Sequence, residues 1–158
     1  MGKAYLYSEN GDELKPQTDG SVGIDLRIRG ELEGDCNADS WYPRNGRGLL
    51  FRTGVYAAAP KGYYFMITLR SSLGKVGFVI PNSPGIIDSD YRGEVLVPLY
   101  YLNTIDDWHL CKGDKIAQMI LVKCPDEVSV EQVDSYDSFM DAAGETERGA
   151  GGFGSTGK

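Results

Sequence analysis

Short runs of alternating apolar residues, each closed by a turn rich in glycine or proline, follow one another along most of this chain. No long helical period interrupts them. Strands are predicted at Ala4–Tyr7, Val22–Ile28, Leu49–Ala58, Tyr63–Leu69, Gly77–Ile80, Glu94–Leu102, Lys115–Lys123 and Val128–Val133. Tyr63, Phe65, Ile67 and Leu69 share one face, as do Val95, Val97, Leu99 and Tyr101. Pro98 inside its run calls for an edge or a bulge. Lys115–Lys123 is apolar on both faces and predicts burial on both sides. Ser71–Lys75 can make one helical turn, and residues 31–47 read as a loop. Glycine supplies 21 of 158 residues, about twice the usual ~7 % share, which favours turns over helices. Such a pattern predicts an all-β sandwich or barrel of short antiparallel strands. The chain is long enough for one domain with its own core.

The formal net charge is −7, and no basic patch marks a nucleic-acid surface, so no direct nucleic-acid binding is expected. Cys36, Cys111 and Cys124 are odd in number and lack metal spacing, which suits reduced thiols in a cytoplasmic protein. His109 is the single histidine, so neither a zinc site nor a Ser-His-Asp triad can be built around it. There is no signal peptide and no apolar run near the ~18 residues of a membrane span.

Five segments hold residues able to do chemistry. Asp88-Ser-Asp-Tyr-Arg92 sets two acids, an aromatic and an arginine between a turn and a strand. A carboxylate there could take a proton from water, two could hold a metal, or both could be solvated turn acids. Leu69-Arg-Ser-Ser-Leu-Gly74 is either a phosphate cradle or a capped strand end. Ser21-Val-Gly-Ile-Asp-Leu-Arg27 and Gly113-Asp-Lys-Ile-Ala-Gln-Met119 read by themselves as core strands with polar exceptions. Arg148-Gly-Ala-Gly-Gly-Phe-Gly-Ser-Thr-Gly157 combines anion-facing amides, a fixed charge, two hydroxyls and one flat aromatic, or is a frayed terminus. Gly152–Lys158 also fits the first seven positions of a Walker A loop. The following Ser/Thr and a receiving helix are missing, and that reading fails.

In this order the five segments resemble the five motifs of the trimeric dUTP pyrophosphatases (dUTPases), from about residue 16 to residue 158. The resemblance implies a jelly-roll-like β barrel over residues 1–133 and a C-terminal strap and flexible glycine-rich tail over 134–158. It implies a homotrimer with sites at subunit interfaces that hydrolyses dUTP to dUMP and pyrophosphate and keeps uracil out of DNA. Asp88 would be the general base. Arg70, Ser71, Ser72 and Gln118 would contact phosphates, and Asp25 would reach Mg²⁺ through water. Asn82, Gly85 and Ile87 lie in the hairpin that reads uracil. Tyr91 would stack on the sugar and exclude a 2′-hydroxyl. Arg148, Phe153, Gly154, Ser155 and Thr156 would close over the nucleotide, on a neighbouring subunit. Val22 and Lys115 depart mildly from the family's commoner residues. Two alternatives share the fold: a dCTP deaminase or bifunctional enzyme, for which Glu94 lies near the required acid, and an interaction protein using residues 31–47 with Trp41 and Tyr42.

Overall fold

The computed structural model describes residues 2–34, 38–103, 108–125 and 129–146. The chain divides into two compact units, residues 1–125 and 126–158. The first holds β1 (Tyr5–Ser8), β2 (Ile24–Arg27), β3 (Gly30–Glu31), β4 (Ser40–Trp41), β5 (Gly48–Ala58), β6 (Tyr63–Leu69), the single turn α1 (Ser71–Gly74), β7 (Phe78–Val79), β8 (Gly85–Ile87), β9 (Glu94–Tyr101), β10 (Leu110–Cys111) and β11 (Lys115–Lys123). The second holds α2 (Tyr136–Ala143).

Two larger sheets and a ribbon result. The first has the order β1-β5-β9-β7 with β3 also on β5, the second the order β2-β11-β6-β8, and β4 pairs β10. Every pairing between named strands is antiparallel. This is the expected jelly-roll-like all-β architecture, with sheets that stay open rather than closing into a continuous ladder. Both sheets turn their apolar faces to one core. Val95, Val97, Leu99 and Tyr101 of β9 are at most 1 % exposed, and Phe65 and Ile67 of β6, Leu26 of β2 and Met119 of β11 join the same cluster. Each such side chain contributes roughly 1.5–3 kcal/mol by leaving water. Pro98 sits where β7 no longer covers β9, since β7 reaches only Tyr100 and Tyr101. The missing N–H is therefore tolerated at a local edge.

Four expectations need correction. β11 is buried at Ile116, Ala117 and Met119, but Leu121 and Lys123 are exposed on this chain. β2 accompanies β11 only from Lys115 to Met119, so its second half is flanked by β6 alone. Residues 31–47 are more than a loop: β4 lies within them, and Asn45 bridges to Tyr101. Trp41 is buried edge-on against Phe51, ring centroids 5.2 Å apart, and so belongs to the core, whereas Tyr42 is exposed. No strand forms over residues 129–133, where Val130 is 99 % exposed, because a short strand gains stability only through pairing. The stretch read as an acidic strap instead contains α2. Ser135 caps it, its hydroxyl accepting from the Ser138 N–H at 3.1 Å; Asp137 stands in the first turn and Gly144 follows the last.

Candidate active site

Asp25 is the centre of a charged cluster at one end of the second sheet. It lies directly opposite Gln118, which in turn lies opposite Thr68 near the end of β6. The Asp25 side chain is 6 % exposed, yet three polar groups converge on it. Arg70 donates to Oδ1, the Lys115 ammonium stands 2.7 Å from Oδ2, and Gln118 Nε2 donates to Oδ1 at 3.4 Å. Lys115 and Gln118 are three apart, so in a regular strand they would face opposite sides. A bulge resolves this. Lys115 opposes Arg27 and Ala117 opposes Leu26, leaving Ile116 unmatched and returning Lys115 to the face of Asp25. The carbonyl of Ile116 also accepts from the Arg70 N–H at 3.1 Å, so the bulge residue fixes both cations.

Burial pushes the Asp25 carboxyl up. The Lys115 contact, the Arg70 charge and the Gln118 hydrogen bond outweigh that and hold it below the ordinary carboxylate value. A lowered folded pKa adds stability above the unfolded value of ~3.9 and loses it as pH falls through the folded value. Asp25→Asn should therefore cost about 2 kcal/mol at neutral pH, the scale of hydrogen bonds to a charged group. The gap to the native protein should close below about pH 4. Urea denaturation midpoints across this pH range check it.

At the far end of the same sheet, β8 runs out into Asp88. Asp88 is exposed and borders an open groove of ≈ 720 Å³ shared with Lys61, Tyr64 and Cys124. The Tyr91 N–H donates to the Asp88 carbonyl at 3.1 Å, closing a tight turn that begins at the acid and ends at the aromatic. Arg92 fastens this turn by donating to the carbonyls of Ser89 and Tyr91 at 2.9 and 2.7 Å. The Tyr91 hydroxyl donates to the Glu94 carbonyl at 3.0 Å. Asn82 is exposed on the segment that crosses from one sheet to the other, Gly85 is buried against Ile67, and Ile87 is half-buried. Ser71 and Ser72 are exposed on α1, next to Arg70.

The chain thus holds two half-sites. Register pairs Ile87 with Phe65, so Asp88 lies beside Tyr64. Arg70 is six residues further along β6, roughly 20 Å away at ~3.3 Å per residue. Arg70, Lys115, Gln118 and Asp25 are brought together; Asp88, Tyr91 and the crossover hairpin are brought together; the two groups are not brought to each other. Arg148, Phe153, Gly154, Ser155 and Thr156 lie outside the described residues.

Glu94 has a structural task that its sequence position did not disclose. Its Oε1 accepts from the Thr53 and Gly54 N–H groups at 3.1 and 2.6 Å, and Arg52 Nε donates to Oε2 at 2.9 Å. These contacts fill the irregularity between Arg52 and Tyr56, where Gly54 takes φ +66°. A carboxylate so engaged is not placed to serve as a deaminase acid. Glu94→Ala should destabilise the protein by about 3 kcal/mol, because two amides and a guanidinium lose their acceptor. Glu94→Gln, which keeps one oxygen, should lose less. Urea unfolding of both variants is the check.

The dUTPase family model matches residues 9–157. The chain belongs to the dUTPase family. Among relatives, the deoxyuridine 5′-triphosphate nucleotidohydrolase of Finegoldia magna is 38 % identical over 157 residues, covering 98 % of this chain and 99 % of that one. The enzyme of the same name from Neorickettsia sennetsu is 39 % identical over 139 residues, 87 % and 83 % of the two chains. The Staphylococcus bacteriophage 80alpha dUTPase solved with dUpNHpp superposes with a TM-score of 0.73 over the whole of both chains at 20 % identity, which bears on the fold. A dUTPase from phage phi11 of S. aureus, described with a structural Mg(II) ion, gives 0.64 at 19 % identity, covering 86 % of this chain and 99 % of that one. In this dUTPase no described helix is long and apolar enough to cross a membrane, and no three described His, Cys, Asp or Glu side chains gather as a metal site.

Proposed function

We propose that this dUTPase-family protein is a cytoplasmic, homotrimeric, Mg²⁺-dependent enzyme that hydrolyses dUTP to dUMP and pyrophosphate. The observation that carries the assembly is the separation of the half-sites. A chain whose base lies roughly 20 Å from its phosphate cluster can use both only by lending each to a different site. A closed ring of three copies does this symmetrically.

At each site Asp88 of one subunit takes a proton from water as its oxygen attacks the α-phosphorus. The bond to the bridging oxygen breaks, and pyrophosphate leaves. Arg70, Ser71, Ser72 and Gln118 of another subunit hold the phosphate oxygens in line. Asp25 keeps Arg70 and Lys115 orientated while no phosphate is present. Asn82, Gly85 and Ile87 frame uracil, and Tyr91 lies against the sugar. Arg148, Phe153, Gly154, Ser155 and Thr156 close over the nucleotide and exclude bulk water.

Mg²⁺, when bound, offsets the triphosphate charge and helps orient it. Asp25 fits a contact through water rather than direct ligation. Its buried Oδ2 has an ion pair but no aligned hydrogen bond, and one carboxylate offers too few oxygens to hold the ion unaided. A panel of dUTP, dCTP, dTTP and UTP, with pyrophosphate and ammonia both assayed, tests the reading. Pyrophosphate from dUTP without ammonia from dCTP is expected; ammonia from dCTP would replace it with the deaminase reading.

A further inference from the structure

Gly93 lies outside the left-handed region of backbone space, so its own conformation does not require glycine. What surrounds it does. A Cβ at position 93 would stand 2.3 Å from the Tyr91 hydroxyl oxygen, 2.5 Å from Cζ and 3.1 Å from Cε2. The ring of Tyr91 therefore folds down over the Gly93 backbone, in space that any other residue would fill. Its far end is tied by the hydroxyl donating to the Glu94 carbonyl at 3.0 Å. Glu94 is itself anchored, its carboxylate gripping the Thr53 and Gly54 amides and Arg52. The ring thus has a floor at Gly93 and a tether at Glu94, and the tether ends in the fixed irregularity of β5. Tyr91 is still 40 % exposed, so its outward face is open to a ligand while its inner face is constrained.

We propose that Gly93 is a positioning residue for sugar selection: it sets the height of the Tyr91 ring, and so the space left for a 2′-hydroxyl. This rests on the reading of Tyr91 as the group beneath the sugar. An alanine at 93 collides only with the end of a side chain that can rotate, so the cheapest relief is to swing the ring and break the tether. The fold should survive. Sugar discrimination should not, because a misplacement of about 1 Å at a reacting ligand can cost on the order of 10²-fold.

The test measures kcat/KM for dUTP and UTP in the native protein, Gly93→Ala, Tyr91→Ala and the double variant, with thermal unfolding of each. The dUTP-to-UTP ratio should fall at least ~10-fold in Gly93→Ala, within the range set by small changes in a pocket, with Tm little altered. Adding Gly93→Ala to Tyr91→Ala should change the ratio no further, since one acts only through the other. An unchanged ratio in folded Gly93→Ala, beside a reduced one in Tyr91→Ala, overturns the positioning role alone. An unchanged ratio in Tyr91→Ala overturns the sugar-contact reading and this inference with it. If Gly93→Ala does not fold, Tyr91→Phe takes its place, because it cuts the tether and adds no atom. A several-fold loss of discrimination is then expected, and an unchanged ratio overturns the proposal.

Discussion

Asp88→Asn is expected to keep nucleotide binding and lose turnover, with kcat falling by ~10²–10⁴-fold, the usual contribution of a general base. The turn at 88–91 is closed by main-chain and Arg92 contacts, and the Asp88 carboxylate itself is exposed. Replacing one oxygen by an amide nitrogen therefore leaves the scaffold in place and removes the proton acceptor. Steady-state kcat with dUTP, beside calorimetric titration with a non-hydrolysed analogue, separates the two effects. A variant that turns over near the native rate would take Asp88 out of this role. One that no longer binds would make it a substrate contact instead.

A second large effect follows from the distance between the half-sites. Asp88→Asn and Arg70→Ala chains should each be nearly inactive as pure trimers. Unfolded and refolded together in equal amounts, they should regain about a quarter of native activity. In a cyclic trimer each site takes its base from one chain and its phosphate cluster from another. Random mixing gives a sound base half the time and a sound cluster half the time. Both variants keep the glycine-rich tail, so the result does not depend on where the tail acts. Activity that stays at background, with mixed trimers confirmed by mass, would mean that each chain supplies both parts to one site.

Much of the fold was legible. β6 lies where alternation placed it, Tyr63–Leu69, because seven residues are enough for a period of two to declare itself, and β11 lies where a continuous apolar run placed it, Lys115–Lys123. β3 and β4 have two residues each and carry no period at all. α2 was missed although Ser135 and Gly144 bracket it and Tyr136, Phe139, Met140 and Ala143 fall at helical spacing, because eight residues make barely two turns of that period. The separate site segments could be picked out by residue type and order. Their pairing could not. Asp25 and Arg70 are 45 positions apart, and Asp25 and Gln118 are 93 apart; only the strand register makes them neighbours. Glu94 read as a potential acid because its role depends on an irregularity in β5, some forty residues earlier, that sequence does not display.

The unmatched Ile116 has a consequence for how this protein can change over generations. Substitutions around it can be compensated one at a time, but chain length there cannot drift. Losing the single residue between Lys115 and Ala117 would retain both lysine and glutamine on the face of Asp25, yet would abolish the bulge and take the fully buried Ile116 out of the core. It would also withdraw the carbonyl that receives the Arg70 amide. Lineages carrying such a deletion would look chemically complete in an inventory of residues and be crippled in fact. Selection here acts on counting as well as on identity.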